Sequence, residues 1–79
     1  MEVRVNAVSP AWVDTPMVAS GIQRKPGLAK VIQRSCPGGR MAMPEEVAEA
    51  ILFLCQPSAT YINGINLVID GGQSLLSRL

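Results

Sequence analysis

The stretch "NAVSPAWVDTPM", residues 6–17, joins the end of a strand to the start of a loop. Aliphatic side chains at every second position from Val3 to Ala7 predict a strand over residues 2–9. Pro10 is predicted to stop this strand because proline has no N–H for a ladder, and Pro16 is a second stop. In open α/β sheets, ligands bind beyond the carboxyl end of a strand. Residues 10–17 are therefore a candidate binding segment.

A long connection follows this segment over residues 16–43. Short helices are predicted at residues 17–25 and 28–34, and "CPGGR", residues 36–40, is predicted to be a loop. Connections of this length often form lids or binding loops. We therefore interpret residues 16–43 as a substrate-type loop.

"MPEEVAEAILFLCQP" predicts the clearest helix, over residues 44–56, with Pro44 in its first turn and a broad apolar face. "INLVID" predicts a second strand over residues 65–70, followed by a tail at residues 73–79. The order strand, helix, strand is typical of a parallel βαβ crossover. Because two strands form no stable parallel sheet and one helix layer covers one face only, we expect the edge of a doubly wound α/β sheet.

Composition excludes several classes of function. The chain has 79 residues, a net charge of +1, a hydrophobic fraction of 48% and a mean hydropathy of +0.26. A nucleic-acid or membrane partner is not expected, since the basic residues at 24, 25, 30 and 34 fit a solvated helix face. The longest apolar run, Ala50–Cys55, is too short to span a bilayer. The first residues carry no secretory signal, so we expect a cytoplasmic protein; an organelle stays open as the alternative, since the native N-terminus can lie further upstream.

The two cysteines and the absence of histidine restrict the kinds of metal-binding and nucleophilic site that we expect. Cys55 is predicted to be a buried, inert thiol on the long helix, and Cys36 lies in a loop. Without histidine, we expect no metal site and neither a Ser-His nor a Cys-His nucleophile.

Two segments together carry a family resemblance: "RVNAVSPAWVDTPM", residues 4–17, and "PGGRMAMPEEVAEAILFLCQPSATYINGINLVIDGG", residues 37–72. Their order and spacing resemble the C-terminal third of the short-chain dehydrogenases/reductases. The resemblance implies part of a Rossmann-type, doubly wound sheet and an NAD or NADP cofactor in a full-length parent. It also implies an oxidoreductase that interconverts a carbonyl and an alcohol.

Carried over residue by residue, the resemblance implies a cofactor site at Pro10, Ala11, Val13 and Thr15. Pro10 and Ala11 would pass close to the nicotinamide, the Val13 backbone amide would hold its carboxamide, and Thr15 would add a second contact. Thr15 has an alternative role as the N-cap of a helix that begins at Pro16.

Three further positions leave alternatives open. Ala11 stands where the family usually has glycine, so either the backbone there is ordinary or the cofactor fits less well. Trp12 and Met17 are either walls of a substrate pocket or packing for the substrate-type loop.

Much of what the family uses for catalysis is missing from these residues. There is no glycine-rich turn for a pyrophosphate and no Tyr-x-x-x-Lys, because Ile65 stands four residues after Tyr61, the one tyrosine. We therefore assign no catalytic residue. Two or three hydrogen bonds at ~1 kcal/mol each give roughly −3 kcal/mol, and millimolar binding needs about −4 kcal/mol. The isolated chain is not expected to bind a dinucleotide tightly.

Three hypotheses follow from this resemblance. The first is that the chain is a piece of an NAD(P)-dependent oxidoreductase, and Met1 then reflects a partial gene, a chain truncated for expression or a partial gene model. The second is a non-catalytic assembly piece that binds a full-length homologue, and the third is an inactive remnant. The resemblance also implies homo-oligomer contacts through the helix at 44–56 and the strand at 65–70.

Overall fold

The computed structural model describes residues 3–75 and shows a two-stranded parallel sheet joined by helices. In the register of the sheet, Val8 pairs with Leu67 and Pro10 with Ile69. The α/β class and the parallel crossover predicted from the sequence are thus confirmed. The elements, in chain order, are β1 (Ala7–Pro10), α1 (Pro16–Arg24), α2 (Leu28–Ser35), α3 (Pro44–Cys55) and β2 (Asn66–Ile69), with short 3-10 turns at Pro57–Ala59 and Gln73–Leu75.

The first strand differs from the prediction at both ends. It begins at Ala7 rather than at residue 2, which itself lies outside the described residues. Val5 is bound to a turn instead of a strand: its N–H donates to Asn63 Oδ1 at 3.0 Å, and its C=O accepts from Gly64 N at 2.9 Å. Residues 3–6 keep the alternating pattern of a strand, but no strand of the described chain lies beside them.

Pro10 is the last residue of β1, although the sequence predicted that the strand would end one residue before it. The main-chain N–H of Ala7 donates to the C=O of Ile65, just before β2, and that of Ala11 donates to the C=O of Ile69 in β2. Because successive residues of a strand alternate in direction, the nitrogen of Pro10 faces the opposite, open edge. Proline is tolerated at such an edge, since no ladder bond to β2 is lost.

The substrate-type loop at 16–43 contains two helices, and residues 36–43 form an irregular connection with a turn at 37–38. Thr15 is the N-cap of α1 and Pro16 is its first residue, as helix-start rules predict. α1 and α2 lie side by side, and Ile32 of α2 is buried. The predicted tail at 73–79 begins with a 3-10 turn, and residues 76–79 lie outside the described part.

The long helix and second strand keep to the predicted bounds within one residue at each end. α3 begins at Pro44 with Glu45 and Glu46 in its first turn, where the helix dipole favours negative charge. At its other end, Arg4 donates to the carbonyls of Leu54 at 2.8 Å and Ile62 at 3.0 Å. This guanidinium ties the chain before β1 to the end of α3.

The core of the described residues is small. Its buried side chains are Ile32, Leu54 and Ala59. The radius of gyration is 15.2 Å, whereas a compact domain of this length would have ~12 Å. Cys55 is exposed, which corrects the prediction of a buried thiol; no other element of the described chain packs over the outward face of α3.

Among the residues that the structure describes, cover lies on one face of the sheet only. Val8, Leu67 and Ile69 are half-buried on that face, while Ser9 and Val68 on the other face are exposed. A parallel sheet normally has cover on both faces, so this arrangement is that of a piece of a larger doubly wound sheet. Among residues 3–75, no helix combines the length and apolar character needed to cross a membrane.

Candidate functional site

The candidate site lies where both strands end. The carboxyl ends of parallel strands meet at the same edge of a sheet, so the segments after β1 and β2 lie side by side. A concavity of ≈ 260 Å³ opens between them and the connection that precedes α3. Residues that line it include Ala11, Trp12, Cys36, Arg40, Glu46 and Asp70.

Val13 is held in an extended conformation by a single parallel bridge to Ala42. The N–H of Asp14 donates to Ala42 O at 2.8 Å, and the N–H of Ala42 donates to Trp12 O at 3.0 Å. In such a bridge the central residue turns its own N–H and C=O to the other side. Within residues 3–75, neither of these groups of Val13 has a hydrogen-bond partner.

The arrangement at Val13 suits one kind of ligand group. A donor and an acceptor lie next to each other on one side of an extended residue, fixed by the two bonds to Ala42. A primary carboxamide has one C=O to accept and one NH₂ to donate. The Val13 backbone can therefore bind such a group through both of its atoms.

Thr15 has the cap role that the sequence left open. Its Oγ1 accepts from Val18 N at 3.4 Å, which is long for a hydrogen bond of this kind. A hydroxyl that accepts still has its own proton to donate. The cap therefore leaves Thr15 able to contact a ligand as well.

Ala11 has an ordinary backbone. No non-glycine residue among those described has a positive φ, and the N–H of Ala11 donates to Ile69 O at 3.0 Å. Of the two alternatives for this departure from the family pattern, the structure shows the first. Pro10 lies directly before it, at the end of β1.

Trp12 and Met17 are placed differently. Trp12 is half-buried and lines the concavity, next to Ala11. Met17 is 80% exposed on α1, so it packs against little within the described residues. Trp12 and Met17 therefore do not lie together in the wall of this concavity.

Arg40 and Glu46 form an ion pair at the rim of the concavity. Arg40 donates from Nη1 and Nη2 to the two carboxylate oxygens of Glu46, at 2.8 and 3.0 Å. The same carboxylate accepts from Met43 N at 2.8 Å. The hydrogen bonds from Arg40, then from the Met43 backbone, lower the pKa of Glu46 to about 2.

Asp70 shapes the turn after β2. Its carboxylate accepts from the N–H groups of Gly72 at 2.9 Å and Ser74 at 2.8 Å. Hydrogen bonds from Ser74, and then from Gly72, hold the pKa of Asp70 below its usual range. Gly71 and Gly72 have φ of 61° and 94°, which a side chain would strain.

The sequence did not point to Ala42, although its main chain makes both of the hydrogen bonds, to Trp12 and Asp14, that fix Val13. Its side chain has no functional group, and the contact uses main-chain atoms alone. The sequence feature that could have drawn attention to Ala42 is the surrounding motif "GRMAMPEE", which places Arg40 six residues before Glu46. Within residues 3–75, no three metal-ligating side chains come together.

Comparison with known proteins gives consistent matches over nearly the whole chain. A family model described as enoyl-(acyl carrier protein) reductase matches residues 1–74. Short-chain dehydrogenase RED2 of Pyricularia oryzae is 51% identical over 77 residues, which cover 98% of this chain and 28% of that protein.

Solved structures agree with this match. Aldohexose dehydrogenase of Thermoplasma acidophilum is 36% identical with a TM-score of 0.84, over 96% of this chain and 33% of that one. 4-Hydroxyisoleucine dehydrogenase, solved in complex with NADH, is 27% identical with a TM-score of 0.80, over 95% of this chain and 30% of that one.

The chain therefore belongs to the short-chain dehydrogenase/reductase family of oxidoreductases. It corresponds to the C-terminal part of a Rossmann-type member of that family. It spans about 28% of the length of the curated relative with 51% identity.

Proposed function

We propose that this chain forms the nicotinamide-side wall of an NAD(P)-dependent oxidoreductase that interconverts a carbonyl and an alcohol. The observation that carries the proposal is the N–H and C=O of Val13, which have no partner within residues 3–75 and are fixed in direction by Ala42. The relative solved with NADH supports a nicotinamide cofactor of this kind.

In this proposal the residues orient the cofactor and take no part in proton transfer. The bound nicotinamide supplies the hydride chemistry, and the protein decides which face of its ring meets the substrate. Val13 binds the carboxamide through its N–H and C=O, and the Thr15 hydroxyl adds a further contact. Pro10 and Ala11 lie next to the ring, with Trp12 and Met17 towards the substrate.

The exposed side of α3 supports a second contribution, to assembly. Ile51, Leu52 and Phe53 are each about half exposed, although all three are large and apolar. Large exposed apolar patches mark contact surfaces. We propose that α3 and β2 contact another subunit, either an identical one or a full-length homologue, in a cytoplasmic protein.

A hybrid enzyme tests the nicotinamide role. Residues 3–72 replace the superposing segment of 4-hydroxyisoleucine dehydrogenase, and dissociation constants are measured for NADH and for ADP-ribose, which lacks nicotinamide. Val13→Pro removes the N–H, and Val13→Ala keeps it as the matched control. Since the N–H of Val13 is not part of the bridge to Ala42, neither bridge bond is removed.

Loss of one hydrogen bond at ~1 kcal/mol is expected to weaken NADH binding about fivefold in Val13→Pro. ADP-ribose binding should stay unchanged, and Val13→Ala should behave as the hybrid does. Equal NADH binding by both variants, or an equal loss for NADH and ADP-ribose, would contradict the proposal.

The alternatives to a catalytic parent have tests of their own. An in-frame glycine-rich turn and a Tyr-x-x-x-Lys in the coding DNA upstream of residue 1 would support the oxidoreductase and contradict the other two hypotheses. If a stop codon lies there instead, light scattering of the chain mixed with a full-length relative tests the assembly piece. No increase in mass would count against it.

A further inference from the structure

We infer that Arg40 and Glu46 form a positioning pair, which sets the direction of the Val13 backbone through Ala42 without touching the cofactor. The inference rests on the proposed function of Val13. It assigns a role in cofactor orientation to two side chains on a different segment of the chain.

The pair holds the main chain on both sides of Ala42. On one side, Arg40 Nη1 donates to Met41 O at 2.9 Å. On the other side, Glu46 Oε1 accepts from Met43 N at 2.8 Å. The two side chains are joined by the two-pronged contact at 2.8 and 3.0 Å, so residues 40–46 form a closed loop of hydrogen bonds.

Ala42 passes this geometry on to Val13. Its N–H and C=O are both used, towards Trp12 and Asp14. Within residues 3–75, these are the only main-chain hydrogen bonds made by residues 12–14 through their own N–H and C=O groups. The direction of the Val13 donor and acceptor therefore depends on where Ala42 lies.

Exposure separates a positioning role from a stabilising one. The side chains of Arg40 and Glu46 are 64% and 47% exposed. Exposed ion pairs contribute little to the free energy of unfolding, because water screens them. The planar guanidinium still fixes the direction of a carboxylate that it contacts with two nitrogens. Losing the pair should therefore alter geometry more than stability.

The test uses the hybrid enzyme with Glu46→Gln and, separately, Arg40→Lys. The first keeps an oxygen for Met43 N, and the second keeps the positive charge, but neither keeps the two-pronged charged contact. Glu45→Gln is the matched control, since it removes the same charge from the same helical turn and makes no bond to Arg40. Measurements are the dissociation constants of NADH and ADP-ribose and the melting temperature.

We expect both variants to bind NADH about 3- to 10-fold more weakly, in the range for residues that act on a site without contacting its ligand. ADP-ribose binding and the melting temperature should match those of Glu45→Gln. The double variant should lose no more than either single one, because the two side chains act as one unit.

Two outcomes would overturn the inference: unchanged NADH binding in both variants, or equal losses for NADH and ADP-ribose. An additive loss in the double variant would also overturn it. Failure of the proposed function looks different. In that case Val13→Pro itself would leave NADH binding unchanged, whatever the result at Arg40 and Glu46.

Discussion

Val13 would bind its ligand through main-chain atoms, so its side chain carries no chemical signal of the role. From the residues alone, the segment after β1 could be predicted as a binding segment because a strand ends there. Which atoms point outwards could not be predicted, since that depends on the bridge to Ala42, far away in the sequence. The resemblance to a family pointed to Val13 and Thr15, and the structure adds a donor and an acceptor at Val13 that the rest of the described chain leaves unpaired.

Thr15→Val removes a hydroxyl that caps α1 and, in our proposal, contacts the cofactor. We expect about fivefold weaker NADH binding by the hybrid, from the loss of one hydrogen bond. We also expect a loss of ~0.5 kcal/mol in stability, at the low end for caps because the bond to Val18 N is 3.4 Å long. Thr15→Ser is the control and should restore both, by titration and by urea unfolding.

At the scale of elements, local signals fixed some boundaries and tertiary contacts fixed others. The bounds of α3 could be predicted within one residue because Pro44 and Pro57 lie beside its ends. The start of β1 could not, because residues 3–6 alternate like a strand but meet a turn at Asn63–Gly64. An alternating pattern predicts that one face of a segment is apolar and the other polar, but it does not show whether another strand lies beside that segment.

Asn6 shows how that turn is attached. Its Nδ2 donates to Ile62 O and its Oδ1 accepts from Ile65 N, both at 3.1 Å. We expect Asn6→Ala to lower the free energy of unfolding of the hybrid by ~1–3 kcal/mol, since two hydrogen bonds are lost. Gln23→Ala, at an exposed position of α1, is the control and should change it by less than ~1 kcal/mol. Equal effects in urea unfolding would contradict this account of β2.

The start of α3 gives a prediction about pH. The pKa of Glu46 is lowered from 4.5 to about 2, so the contribution of its charge to stability, which is small for an exposed ion pair, is complete above pH 4.5. That contribution is lost as the pH falls from 4.5 towards 2, where the carboxylate takes up a proton in the folded state too. NMR of the Glu46 carboxyl carbon should show a midpoint near pH 2. Arg40→Gln should raise that midpoint; an unchanged midpoint would show that Arg40 is not the cause.

At the scale of the whole molecule, the described residues form a thin body, 16 Å in its shortest dimension. The single helix layer was predictable, because the sequence contains one long helix between two strands. The surfaces that remain exposed were harder to predict from the sequence. The sequence predicted a broad apolar face on α3, but Ile51, Leu52 and Phe53 are about half exposed because nothing in the described chain lies over them.

The free chain should therefore behave as an incomplete domain. Exposed apolar side chains and an open strand edge favour aggregation or loose folding. We expect strong binding of the dye ANS and a broad thermal transition by circular dichroism. A soluble monomer with a sharp cooperative melt and no dye binding would contradict this expectation.

The central claim, that the Val13 backbone binds the nicotinamide end of the cofactor, is tested most directly by NMR. The hybrid is labelled with ¹⁵N and titrated with NADH and, in parallel, with ADP-ribose, and the backbone amide of Val13 is followed. The account predicts a large shift of the Val13 amide with NADH and almost none with ADP-ribose. A Val13 amide that does not move with saturating NADH would contradict it.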